Sequence, residues 1–497
     1  MYFFDHQVLT LGMRTHSRSF KHRKQRKSDG PPPRSARSPR RRSDSTRSGS
    51  GATTGAHVPP SPTPDGAGFL AAWHELLGTQ PRPAVPPRPG RKPRVALASL
   101  LAALVFHVLN PTGTLSAHFA MLFEDALNDS ACSDRRARLP WQIFAELMQR
   151  VLRPLARPRR HPEAFWRGWL LTALDGTQHS VTNTPQNNAA LRKAKARRGR
   201  AAFAKLSTSV LLELGLHNPL AAAIGQKGQS EWELSLSLLA RLPKNALVLA
   251  DRLSGCAAFA AQAQRACRRV GSHFLFRART QIKVEEVRGL EDGSRLVRVP
   301  VRKKGQPRVI LEWLELREIR VQLHRKGFRP TDLRLWTTLL DPAPAPAAEL
   351  VELYAQRWEH ELFYREIKRQ LRKNGLLQSH TVTTAAQEVA ALMLAAALLA
   401  QERDRAAAGQ VPVLRVSFLK LLELLRPLWL VLALGEDLLS ERQKEQLTER
   451  FYAQARTYLT PKRRQRSCPR KVRQPVSGWP RLLTNEYGEG PVTFDFV

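Results

Sequence analysis

Asp175 closes the apolar run at 169–174, Asp251 closes the run ALVLA at 246–250, and Glu361 lies within the segment YAQRWEHELFYREIK at 354–368. The ends of buried strands are where an open sheet offers side chains to a ligand on a rigid scaffold. Taken singly, Asp175 would serve as well to start a turn before Gly176, and Asp251 to cap the helix that follows it. In the third segment, with Glu361 as zero and about 100° per residue, Tyr354 falls at about +20°, Arg357 at about −40°, Arg365 at about +40° and Lys368 at about −20°. One stripe therefore carries a carboxylate, three cations and a phenol. Ion pairs at i,i+4 on a solvated face, worth roughly a few tenths of a kcal/mol each, explain the charges but not the tyrosine. Carboxylates are hard oxygen donors and suit Mg²⁺ or Mn²⁺. Two such ions about 3.5–4 Å apart supply a deprotonated water and a stabilised leaving oxygen for phosphodiester cleavage. By themselves the residues carry no more than a metal-dependent phosphoryl-transfer site.

These side chains need elements to position them. Residues 169–174 read as a strand, 178–182 as a second and 202–214 as a third; 231–242 reads as a helix, 246–250 as a strand, 257–270 as an Ala-rich helix and 274–277 as a strand. That order specifies a mixed sheet with crossover helices on its faces. Residues 282–340 alternate apolar and charged types, with turn signals at Asp292-Gly293 and Lys304-Gly305, and read as an inserted antiparallel β subdomain. A long helix is expected over 348–373, with more over 384–403 and 417–434, and about three helices precede the sheet over 94–157.

At Tyr354, Arg357, Glu361 and Lys368 the chain resembles the insertion-sequence transposases with the signature Tyr-x2-Arg-x3-Glu-x6-Lys, insertion-sequence family four, which carry an Asp-Asp-Glu triad on an RNase H-like fold. The spacing matches without a gap, and the resemblance covers about 165–405. It implies that Asp175, Asp251 and Glu361 are catalytic and hold two Mg²⁺ (or Mn²⁺) ions. It further implies that Tyr354, Arg357 and Lys368 hold phosphates of the transposon end, where a planar guanidinium suits bidentate contact. Arg365 shares that stripe. Trp336 lies where hairpin-forming relatives stack an aromatic on a flipped base; it would equally be a strand Trp packed in the β subdomain. Arg252 and Arg277, beside Asp251 and on the last core strand, are weaker candidates for DNA contact. Relatives often follow the second Asp with Arg-Gly-Tyr, whereas this chain has Arg252-Leu253-Ser254.

The 497 residues hold 80 Lys+Arg against 42 Asp+Glu, a net charge of +38, so the expected partner is a polyanion. Residues 14–47 hold 13 Lys/Arg against Asp29 and Asp44, and seven more cations lie in 462–473. The cysteines at 132, 256, 267 and 468 form no metal or disulfide spacing, which fits a reducing compartment. The longest apolar run, 95–109, is short of the roughly twenty residues a membrane span needs, and the first residues make no convincing export signal.

The resulting organisation is a disordered basic and Pro-rich extension (1–93), a helical DNA end-binding domain (94–160), an RNase H-like α/β catalytic domain (161–405) with a β insertion at about 280–345, and a helical C-terminal region with a basic tail (406–497). The expected activity is cut-and-paste DNA transposition through a hairpin. Its expected setting is a cytoplasmic, nucleoid-associated homodimer on transposon ends and target DNA. A nuclease of the same fold without strand transfer, or a cleavage-dead DNA-binding protein, are the alternatives.

Overall fold

Helix α1 (Phe69–Leu77) buries Phe69, Ala72, Trp73 and Leu76, an i, i+3, i+4, i+7 stripe. It belongs to a computed structural model that describes residues 68–78, 95–110, 112–123, 127–191, 193, 195–196, 199–324, 330–371, 375–461 and 493–496. The basic stretches 14–47 and 462–473 lie outside those residues. Four helices follow α1 where about three were expected: α2 (Leu97–Leu109), α3 (Leu115–Leu122), α4 (Asp129–Ala137) and α5 (Trp141–Val151). Thr114 and Asn128 cap α3 and α4, their side-chain oxygens accepting from the amides of Ala117 and Ala131.

Strand β1 (Trp169–Val181) is one thirteen-residue strand, not two with a turn at Gly176. Gly176 is paired opposite Ser209, so the glycine lies within the ladder. After α6 (Pro185–Ala190) come β2 (Lys205–Glu213) and β3 (Asn218–Ile224), antiparallel to β1 and to β2 respectively. The sequence NPLAAAI of β3 gives little strand signal. It is tolerated because β3 is the edge of the sheet, where Pro219 interrupts no ladder on its outer side. Helix α7 (Glu231–Leu238) leads to β4 (Ala246–Ala250), and α8 (Ala257–Arg269) to β5 (His273–Arg277). Both strands run parallel to β1, giving the order β3-β2-β1-β4-β5 of an RNase H-like core.

The insertion forms β6 (Glu285–Gly289), β7 (Arg295–Lys303), β8 (Gln306–His324) and β9 (Thr331–Thr337), with Gly293 and Gly305 at φ 78° and 80° in its turns. It is not a separate sheet. β9 pairs antiparallel with β5 and extends the core sheet as β5-β9-β8-β7-β6, covering an edge that would otherwise be open.

The helix expected over 348–373 is divided into α9 (Ala347–Tyr354), a tight 3₁₀ turn (Ala355–Arg357), α10 (Trp358–Arg365) and a wide π turn (Glu366–Leu371). Then follow α11 (Val382–Ala407), α12 (Phe418–Leu434), α13 (Glu441–Thr457) and β10 (Thr493–Phe496), which pairs with β8. Contrary to expectation, α11 is long and apolar enough to cross a membrane by length and composition. Yet 83% of its most apolar window is buried inside the protein, against α2, α5, α13 and β3, as a core helix is.

Candidate active site

The parallel ladder between β1 and β4 runs from Leu170 opposite Ala246 to Leu174 opposite Ala250. One step further in the same register brings Asp175 beside Asp251. Each carboxylate is fixed by a backbone amide at 2.8 Å: Gly176 N–H donates to Asp175 Oδ1, and Leu253 N–H to Asp251 Oδ1. The guanidinium of Arg357 lies 3.4 Å from Asp175 Oδ2 and 3.9 Å from Glu361 Oε1, and so bridges them. Tyr354 Oη donates to the carbonyl of Ala250 at 3.3 Å, and Tyr364 Oη to that of Asp175 at 2.8 Å. The two phenols thus hold the backbone at the middle of β1, which carries Asp175, and at the end of β4, just before Asp251. Beside Glu361, His360 bonds the Val210 carbonyl at 3.0 Å, and burial pushes its imidazole down to about 4, so it anchors α10 on β2 as a neutral donor.

Burial pushes the Asp175 carboxyl up to about 8; Arg357 opposes this, while Asp251, Glu361 and Glu231 add to it. Burial would lower Arg357, but Tyr354, Asp175, Asp251 and Glu361 together hold it above its usual value. Burial also pushes Tyr354 up to about 12, leaving its phenol a donor throughout the neutral range.

Residues 167–400 match the family described as the transposase DDE domain. That match covers a little under half of the chain. It is 28% identical over 260 residues to the transposase InsG for insertion sequence element IS4 of Escherichia coli (strain K12), covering 51% of this chain and 57% of that protein. The chain therefore spans little more than half the length of that curated relative. Among solved structures, the piggyBac transposase synaptic complex with hairpin DNA aligns with 78% of this chain and 85% of its own at 10% identity and a TM-score of 0.40.

The fold brings Tyr354, Arg357, Glu361 and Lys368 to one side of β1, with Lys368 Nζ donating to Thr177 Oγ1 and to the Gln178 carbonyl. Arg365 is not among them and is exposed. Tyr364 faces the site instead. At about 100° per residue it stands at about −60°, so the stripe 354, 357, 361, 364, 368 steps three, four, three, four and leaves Arg365 on its far edge. That spacing was present in the sequence. Arg252 is exposed and Arg277 half-buried, close enough to Tyr354 to act on its phenol. Trp336 is fully buried on β9; its indole N–H donates to Glu318 at 2.8 Å and the Arg334 guanidinium lies 5.3 Å from its ring centre. With both its face and its edge occupied, it presents no surface to a flipped base in this structure.

For a divalent ion the donors fit in kind, being all oxygen, with three negative charges against one positive. Among the described residues no three His, Cys, Asp or Glu side chains converge to coordination distance. Arg357 occupies the space between Asp175 and Glu361.

The π turn has its own support. His217, in the β2–β3 turn, bonds Glu366 through Nδ1 at 2.6 Å and Glu359 through Nε2 at 3.1 Å, while Arg403 donates to Glu366 at 3.2 Å. Burial would lower His217, but Glu366 and Glu359 raise it overall; Glu366, despite burial, is held low by His217 and Arg403. The raised imidazole contributes stability in full below its ordinary 6.5, lost as pH rises through the folded value. The lowered carboxyl contributes in full above its ordinary 4.5, lost as pH falls through its folded value. The stability difference between wild type and His217→Asn should therefore be greatest between pH 4.5 and 6.5 and shrink on both sides. Denaturant titrations across pH check this; a flat difference would contradict it.

Proposed function

We propose that the chain is a DNA transposase that binds the ends of its insertion sequence and catalyses metal-dependent strand cleavage and strand transfer, cut-and-paste in style through a hairpin. The observation that supports this is the meeting of Asp175, Asp251 and Glu361 around Arg357 inside a transposase DDE domain. In this reading the three carboxylates hold Mg²⁺ or Mn²⁺, two ions in all. Bound there, the ions favour ionisation of the attacking water or 3′-hydroxyl and offset charge on the leaving oxygen.

The chain's own residues do the positioning. Tyr354 and Tyr364 fix the backbone beneath the two aspartates. Arg357 holds Asp175 and Glu361 apart yet within reach of one phosphate, and Lys368 offers a cation at the far end of β1. Arg252, Arg277 and Arg365 supply charge for the flanking DNA backbone. The helical region at 94–160 is assigned to end binding and 406–497 to dimerisation, since coordinated cutting needs both ends held together. The protein would act in the bacterial cytoplasm on nucleoid DNA.

The test is a joining assay: the purified full-length chain, Mg²⁺, an element end already cut to a free 3′-hydroxyl, and a target plasmid. Joined product is expected. Hydrolysis without joining would instead indicate a nuclease, and binding without any nicking in Mn²⁺ a DNA-binding protein that no longer cuts.

A further inference from the structure

His217 stands in the turn between β2 and β3 with φ 53°, a left-handed backbone that few residues other than glycine adopt without strain. It is buried there, and its imidazole reaches two carboxylates seven residues apart. Nε2 lies 3.1 Å from Glu359, in the first turn of α10, and Nδ1 lies 2.6 Å from Glu366, which opens the π turn. Arg403 of α11 donates to the other oxygen of Glu366 at 3.2 Å and is itself anchored on the carbonyls of Val416 and Leu414 at 2.8 and 3.0 Å. The π turn is therefore gripped from two sides. Its width has a consequence for Lys368, its third residue. A turn closed by i→i+5 bonds advances less per residue than an α-helix, so Lys368 lags behind its α-helical place. Its Nζ settles on Thr177 Oγ1 and on the Gln178 carbonyl at 3.0 Å, with the centre of the Tyr364 ring 5.9 Å away. Thr177 shares with Asp175 one face of β1, so the ammonium stands one pleat along from that carboxylate.

Resting on the reading of Lys368 as a contact to a phosphate of the DNA end, we propose that His217 is a positioning residue: through Glu366, and with Arg403, it fixes the π turn that holds the Lys368 ammonium on the Asp175 face of β1. Stability alone does not account for the arrangement. Burying His217, Glu366 and Arg403 together costs desolvation, and well-packed apolar side chains of similar volume often hold two elements together at least as well. What apolar side chains would not do is set the direction of the chain after Glu366. Single wide turns inside helices occur frequently at functional sites. A strained backbone such as that of His217 persists only where its surroundings hold it, and such strain clusters at functional sites too.

The test is a double-mutant cycle on the full-length chain, His217→Asn with Lys368→Ala, read as the salt dependence of affinity for duplex end DNA. Binding is measured in chelator, so that no strand is cut. Asparagine tolerates the left-handed backbone but is too short to reach both carboxylates. Loss of one phosphate contact should lower the slope of log K against log salt by about one. Lys368→Ala is expected to do this, His217→Asn to do the same with Lys368 still present, and the double variant to fall no further than either. A wild-type slope in His217→Asn, or a double variant whose loss is the sum of the two, would overturn the proposal and make His217 a structural residue. If His217→Asn does not fold, Glu366→Gln, which keeps the volume but only one acceptor oxygen, must show the loss, and a wild-type slope there overturns the proposal. Lys368→Ala separates the two readings. An unchanged slope in that variant sinks the phosphate contact and this proposal with it, whereas a lowered slope there beside an unchanged one in His217→Asn sinks this proposal alone.

Discussion

Asp175→Asn, Asp251→Asn and Glu361→Gln are each expected to lower Mg²⁺-dependent cleavage of element ends by about a thousandfold or more. That corresponds to several kcal/mol of transition-state charge stabilisation, at about 1.4 kcal/mol per tenfold. End binding should survive, because none of the three is a cation. The fold should survive as well. Asparagine at 175 can still accept from the Gly176 amide and matches the protonated state that burial favours in the metal-free protein, where the carboxyl is pushed up to about 8.

The sign of the stability change follows. A carboxyl raised from 3.8 contributes its stability at low pH and loses it as pH rises toward about 8. In chelator, Asp175→Asn should therefore unfold no earlier than wild type at neutral pH and later above about pH 8. Nicking of labelled end DNA and thermal melts in chelator report the two effects. Undiminished cleavage by any one variant would remove that residue from the site.

Glu318→Ala should be the most damaging single change in the inserted strands. The Glu318 side chain is 0% exposed, yet Arg295, Arg320, Arg334 and Trp336 all donate to its two oxygens. Burial would raise its pKa, but Trp336 and Arg334 hold it below the usual range. Removing the carboxylate strands the buried Arg334 guanidinium and the Trp336 N–H, at a cost of about 3–5 kcal/mol. Denaturant unfolding measures it. Replacing both Glu318 and Arg334 by leucine should cost less than Glu318→Ala alone, since no unpaired charge remains. A loss below about 1 kcal/mol for Glu318→Ala would show that the hub is not what holds these strands.

The same hub explains why Trp336 reads ambiguously from the chain. A tryptophan before Thr337 on an alternating strand is compatible with an exposed platform or a packed core residue. Glu318, directly opposite on β8, decides for the core by satisfying its N–H.

What the sequence determined by itself was local. Asp175 and Asp251 were visible because each ends a short apolar run, although only the second strand stops there; β1 continues through Asp175 to Val181. The stripe of Tyr354, Arg357, Glu361 and Lys368 was visible because helical period is a property of neighbouring residues. Tertiary structure decided the facing and the company of these residues. The π turn after Arg365 depends on His217 and Arg403, 149 and 37 residues from Glu366, so no window along the chain could show it. Gly176 read as a turn because glycine punctuates chains, whereas here it makes room for Glu231 from another element. The insertion joins the core sheet because β5 has an edge that β9 can pair, and α11 is a core helix because helices and strands from distant parts of the chain, among them α2, α5, α13 and β3, cover it. Period is written in adjacent residues; register, burial and charge neighbours arise only when distant segments meet.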